Sequence, residues 1–236
     1  MFFYDPSYLL FVFLPTLGLT LLTQMWVKSS FRKYSQVRNS SGITGAEAAM
    51  GILHEAGIYD VDIEESRGFL SDHYDPRKRV IRLSPENFQG RSIAAVGIAA
   101  HEAGHAIQHA RKYAPLALRN AAVPMASIGS SFGYVVIFIG VIMSSTPLNS
   151  ITYIGLGLIF AVVLFQVINL PVEFDASRRA LQLLPAMGIL TEQENAGARA
   201  MLTAAAMTYV AATATAILQL LYWMMRLGLL GGRSSN

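Results

Sequence analysis

The chain has no cysteine. That excludes a disulfide framework and any thiolate metal site, so a metal held here must use histidine, aspartate or glutamate. Charge is scarce too. Asp, Glu, Lys and Arg make up 14% of the 236 residues, against 53% hydrophobic, and the mean hydropathy is +0.41. An ordinary soluble domain carries about 25% charged residues, so this composition excludes one. The formal charge of +3 gives no reason to expect a nucleic-acid partner. No internal repeat or low-complexity tract organises the sequence.

Long apolar runs account for the hydropathy. About 20 helical residues cross the hydrocarbon core of a bilayer. Four runs have that length: residues 8–27, 121–143, 151–170 and 200–225. The first, stopped by Lys28, is too long for a signal-peptide core and has no basic residue before it, so it reads as an uncleaved anchor. Ser144 to Ser150 reads as a plain turn between the second and third. The fourth is rich in Ala and Thr, small residues that favour close helix packing, with Tyr222 and Trp223 as interfacial aromatics. Every basic residue except Arg226 and Arg233 falls in segments 28–120 or 171–199. The positive-inside rule places both segments in the cytoplasm. The expected fold is mainly α: a multi-pass inner (plasma) membrane protein with about four transmembrane helices and a cytoplasmic catalytic region.

That region contains His101-Glu102-Ala103-Gly104-His105, an HExxH motif. Residues four apart share one helix face, with Cβ atoms about 5–6 Å apart. Two imidazoles so placed can converge on one Zn²⁺ at roughly 2.0–2.1 Å. The glutamate between them then stands where it can accept a proton from a water activated by the metal. The surrounding stretch, Ser92 to Lys112, reads as one helix, N-capped by Ser92 and ended by Arg111 and Lys112. It is small or aliphatic nearly all round, so it is expected to be buried. Two histidines and a glutamate inside such a helix are costly unless something pairs with them. The bland alternative is a helix with two satisfied histidines. His109 shares their face and reads better as a supporting or surface residue than as a ligand.

A third ligand is expected from the other cytoplasmic segment. Glu173 and Asp175 are its carboxylates at the end of the third run. His₂Glu with one open position is a known catalytic zinc set, and Glu173 is the candidate. Ser177 lies one turn on, along the same face. The competing reading is an interfacial acid solvated by headgroups or paired with Arg178. Upstream, Val80-Ile81-Arg82-Leu83 reads as a strand, Asp72 to Pro76 as a turn leading into it, and residues 42–53 as an amphipathic helix. Thr44 and Glu47 form its capping box and His54 caps its end. An edge strand beside the site can hold an extended peptide, and a purely structural hairpin is the equal alternative.

The chain resembles the bacterial neutral zinc metallopeptidases, a family of small membrane proteins (YugP-like). Leu70-Ser71-Asp72-His73-Tyr74-Asp75-Pro76, Val80-Ile81-Arg82-Leu83-Ser84, the helix carrying HExxH, Glu173-Phe174-Asp175-Ala176-Ser177 and Gly197-Ala198-Arg199-Ala200 carry the resemblance, which covers nearly the whole chain. The layout is more distantly similar to membrane gluzincins of the HtpX and CAAX-prenyl endopeptidase type. These have HExxH followed later by Glu-x-x-x-Asp. The resemblance implies a small α+β gluzincin-like catalytic region, zinc as cofactor, Glu173 as third ligand, and a protein or peptide substrate. Ser177 departs from the pattern, standing where the gluzincins carry aspartate.

The expected reaction is peptide-bond hydrolysis by a zinc metalloendopeptidase, with Glu102 as general base and then acid, and no covalent intermediate. Arg199, Tyr74 and His73 are candidates for stabilising the oxyanion. Three alternatives stand beside it: an intramembrane protease, a metal transporter and a non-catalytic metal-binding scaffold. A transporter would spread polar ligands over several spans, whereas these histidines crowd into one helix. The sequence does not name the substrate or the oligomeric state.

Overall fold

In a computed structural model, residues 5–66, 71–143 and 148–230 are described. Arg67, Arg233 and residues 144–147 of the expected turn lie outside them. Among the described residues, four helices are long and apolar enough to cross a membrane: α1 (Pro6–Ser35), α5 (Ala114–Met143), α6 (Ser150–Ala186) and α7 (Glu192–Arg226). Between α1 and α5 come α2 (Gly45–Glu55), β1 (Asp62–Glu65), β2 (His73–Asp75), β3 (Val80–Leu83), the single turn α3 (Pro85–Phe88) and α4 (Ile93–Ala110). The architecture is mainly helical, with one small three-stranded sheet.

The chain divides into two compact units. One takes the described parts of residues 1–22, 118–170 and 208–236, the membrane-side portions of the long helices. Large side chains such as Phe11, Phe132, Ile142 and Ile154 point outward from it. In a bilayer they meet lipid, where outward apolar groups cost nothing. Within this unit Arg119 on α5 donates to Asn169 on α6 at 3.2 Å. Tyr222 near the end of α7 donates to Asp5 before α1 at 2.6 Å, and Arg226 pairs with the same carboxylate.

The other unit takes residues 23–117 and 171–207 and has an aqueous-type core built from Ile52, Leu53, Ile81, Leu83, Val96, Ile107 and Leu184. Its centre is α4, buried on nearly every side. Ser92 caps α4 by accepting from the Ala95 N–H. The helix ends at Ala110, two residues short of the expected Lys112, because Lys112 takes a positive φ of 51° and Tyr113 N–H returns to the Gln108 carbonyl. That reversal feeds α5 at Ala114. The capping box of α2 forms as expected, Thr44 and Glu47 satisfying each other's backbone N–H groups. Its C-cap is Ala56; His54 lies inside the last turn, with its ring against Tyr59.

Two expectations for the sheet need correction. Residues 73–75, expected within a turn, form strand β2, antiparallel to β3 with Tyr74 opposite Ile81. The turn comes later, where Asp75 Oδ1 accepts from the N–H groups of Arg77 and Lys78 and Arg79 adopts a φ of 52°. The second correction concerns β3. It runs parallel to β1 on its other side, so it is the middle strand. With both ladders occupied, β3 offers a peptide no backbone groups, and the open edges belong to β1 and β2.

Candidate metal centre

The two histidines meet Glu173 because α4 and α6 approach very closely. Gly104 lies where they cross: a Cβ there would sit 2.7 Å from the Ala176 carbonyl oxygen and 3.1 Å from its Cα. Ala176 is fully buried against it. Gly104, the fourth letter of the motif, is thus small because a second backbone occupies the space a side chain would need. Glu173 lies three residues before Ala176 on α6 and so reaches the same helix face.

Glu173 Oε2 stands 3.4 Å from His101 Nε2 and 3.6 Å from His105 Nε2. The two rings are 4.7 Å apart and nearly perpendicular, at 81°. Two ligands on a tetrahedral zinc, each about 2.1 Å from it, lie about 3.4 Å apart. The triad therefore has the spacing of a zinc site. Its chemistry agrees. Glu173 is 3% exposed, and its Oε2 is buried without a hydrogen-bond partner. A buried, unpaired carboxylate oxygen facing two imidazole nitrogens is unfavourable unless a cation joins them. Burial alone would push the His105 pKa down, but the Glu173 carboxylate beside it and the charge of Glu102 outweigh that and hold it above its ordinary value. Positive charge is what this cavity attracts. These three residues form a cluster able to coordinate a metal, and they fit zinc.

The supporting shell is fully wired. Ser177 Oγ is 3.1 Å from His101 Nδ1, in the place that resemblance gives to aspartate. Gln108 Oε1 is 3.0 Å from His105 Nδ1. The Gln108 amide nitrogen donates to the Val172 carbonyl at 2.8 Å and to Asp175 Oδ2 at 3.0 Å. Both amide hydrogens are thereby committed, so the oxygen must face His105. It then accepts from Nδ1–H, which leaves the Nε2 lone pair aimed at the metal position. Asp175, which shares no direct contact with either imidazole, acts on His105 through Gln108 and is itself held by Arg178 and Arg179. Arg178 is therefore Asp175's partner and not Glu173's.

Glu102 is 8% exposed, and among the described residues its carboxylate makes no hydrogen bond. The remaining candidates lie apart. Tyr74 sends its hydroxyl to His109 Nδ1 at 2.8 Å, one turn beyond His105, and burial pushes its pKa up to about 12. His73 is exposed and bonds to the Ser71 carbonyl and Arg82. Arg199 on α7 lines a cavity that none of the three ligand residues reaches. Sequence reasoning missed Gln108. Its signal was there: an uncharged polar residue one turn after His105, in a helix whose other polar residues are all histidine or glutamate.

Comparison with known proteins agrees with the geometry. The family model described as "Putative neutral zinc metallopeptidase" matches residues 9–228. The chain belongs to this family. It is 46% identical over 232 residues to "Putative membrane protease YugP" of Bacillus subtilis (strain 168), covering 97% of this chain and 100% of that one. No solved structure matches. With the triad and the four apolar helices, this makes the chain a multi-pass membrane zinc metalloendopeptidase of the inner membrane, its metal cluster toward the cytoplasmic side.

Proposed function

We propose that His101, His105 and Glu173 hold the zinc and that Glu102 is the general base of peptide hydrolysis, in a gluzincin-like catalytic region spanning residues 28–120 and 171–199. The observation that carries this is the convergence of the three ligand atoms around one point, all within 4.8 Å of one another. A zinc ion there supplies Lewis acidity, polarising a substrate carbonyl and making water nucleophilic near neutral pH. Glu102, free of other partners, takes the proton of the attacking water and delivers it to the leaving amine. Gln108 keeps His105 in the tautomer that presents Nε2, and the Ser177 hydroxyl can accept from His101 Nδ1–H to the same effect.

The substrate is a protein or peptide. Its backbone is best offered the open edge of β2, which lies against α4 and is fixed to it by the Tyr74–His109 hydrogen bond. Tyr74 is thereby the oxyanion candidate hydrogen-bonded to the motif helix, and His73, pointing to solvent, the weakest. Glu102→Gln tests the mechanism. Zinc content is expected to remain at one per chain while cleavage of casein falls by about 10²–10⁴-fold, the usual contribution of a general base. Undiminished cleavage by that variant overturns the assignment.

A further inference from the structure

A cavity of about 310 Å³ opens between α6 and α7. His101, Glu102, His105 and Glu173 do not line it; Ser177 is the one wall it shares with the metal cluster. Charge and bulk divide its lining. Both arginines, Arg178 and Arg199, stand with Gln182 and Leu181 toward the α6–α7 connection, and Phe174, Leu202 and Ala206, with Thr203 among them, toward the apolar runs of the two helices. Arg199 and Ala206 are seven residues apart, about 10 Å along a helix. The cavity is thus cationic at one end and apolar at the other, and its long direction follows the membrane-spanning helices.

Among the described residues, the cationic end is only partly neutralised. Arg199 is exposed and, among the described residues, has no hydrogen-bond or ion-pair partner. The residues three and four away on α7 are Asn195, Ala196, Leu202 and Thr203, none of them acidic. Arg178 shares the single carboxylate of Asp175 with Arg179, so that group carries a net positive charge. No carboxylate lines the cavity. A peptide carboxylate would satisfy the arginines but has no use for an apolar floor, and a substrate subsite should open onto the metal ligands. An anion with a hydrocarbon tail uses both ends.

We propose that this cavity binds one anionic phospholipid of the inner leaflet, with its phosphate at Arg199 and Arg178 and an acyl chain against Phe174, Leu202 and Ala206. Basic pockets between helices at the cytoplasmic boundary recognise lipid headgroups in this way. The test is lipid retention by the full-length chain, extracted from vesicles of phosphatidylcholine mixed with phosphatidylglycerol and weighed intact by native mass spectrometry. One phosphatidylglycerol per chain is expected to be retained in preference to phosphatidylcholine. Arg199→Gln should lower that retention about tenfold, the loss of one charge-assisted contact, and Arg199→Lys should restore most of it. Ala206→Phe, which fills the apolar end, should lower it independently, while zinc content reports that each variant is folded. Equal retention of the two lipids by the native chain overturns the proposal. So does retention unchanged in both Arg199→Gln and Ala206→Phe. A raised KM for acidic peptides in Arg199→Gln, with lipid preference intact, would make the cavity a substrate subsite instead. Retention is read without any cleavage, so its failure is separate from failure of the peptidase mechanism.

Discussion

Gln108 shows how much a single uncharged side chain can determine. Its two amide hydrogens are fixed by Val172 and Asp175, so its oxygen has only His105 left to serve. Replacing it with Leu keeps the volume but leaves the Val172 carbonyl and the Asp175 carboxylate each short of a donor, and His105 free to choose either tautomer. Loss of such a supporting partner typically costs 10–100-fold in metal affinity. We expect Gln108→Leu to raise the dissociation constant for zinc by about that factor, measured by chelator competition. Gln108→Glu restores an acceptor for Nδ1–H but sets a second carboxylate against Asp175, so its recovery should be partial. Affinity equal to the native chain in Gln108→Leu would show that Nδ1 does not need its partner. Motif reading found the ligands because HExxH has a fixed spacing. It did not find Gln108, because the acceptor for His105 is defined by an α6 backbone carbonyl 64 residues away.

Between elements, the decisive event is the crossing of α4 over α6. A methyl group on Gly104 would need to occupy space 2.7 Å from a backbone oxygen, and a backbone cannot yield as a side-chain tip can. Gly104→Ala should therefore separate the helices, at about 1–3 kcal/mol, the usual cost of overpacking. The same displacement carries Glu173 away from the histidines, so zinc affinity should fall along with thermal stability. Ala103→Gly, at the neighbouring small position, leaves that crossing as it is and should lower stability through helix propensity and one lost buried methyl, by about 1–2 kcal/mol, with zinc affinity kept. A Gly104→Ala variant that binds zinc normally would remove the crossing from the account. The elements themselves were legible in part. The α4 helix, the capping box at Thr44 and the β3 strand follow from local pattern and form where the sequence places them. The β2 strand does not, because its three residues follow Asp72 and run into Asp75-Pro76, which are turn signals; it becomes a strand only by pairing with β3 and tying Tyr74 to His109. The middle position of β3 was likewise invisible, since it depends on β1 pairing across the gap between them.

For the molecule as a whole, hydropathy located four spans but not the extent of their helices. The third apolar run ends near residue 170, whereas α6 continues to Ala186. The hydrocarbon core requires apolar residues only where it is crossed, and the same helix then continues outside it to present Glu173. Polar contacts within the membrane-side unit agree with an even number of spans. Tyr222 and Arg226 near the end of α7 bind Asp5 before α1, so the first and last described segments share one side. An even number of spans requires that, and the basic residues assign the opposite side to the cytoplasm. Ser150, at the start of α6, then belongs on the same side as Asp5 and Arg226, facing out. Because the chain has no native cysteine, one introduced thiol is an unambiguous probe. Ser150 and Glu55 are both exposed, at the start of α6 and the end of α2. In intact cells a membrane-impermeant maleimide should label Ser150→Cys and leave Glu55→Cys unlabelled until the membrane is opened. The reverse pattern would invert every span and move the zinc cluster, with its proposed lipid neighbour, to the outer face.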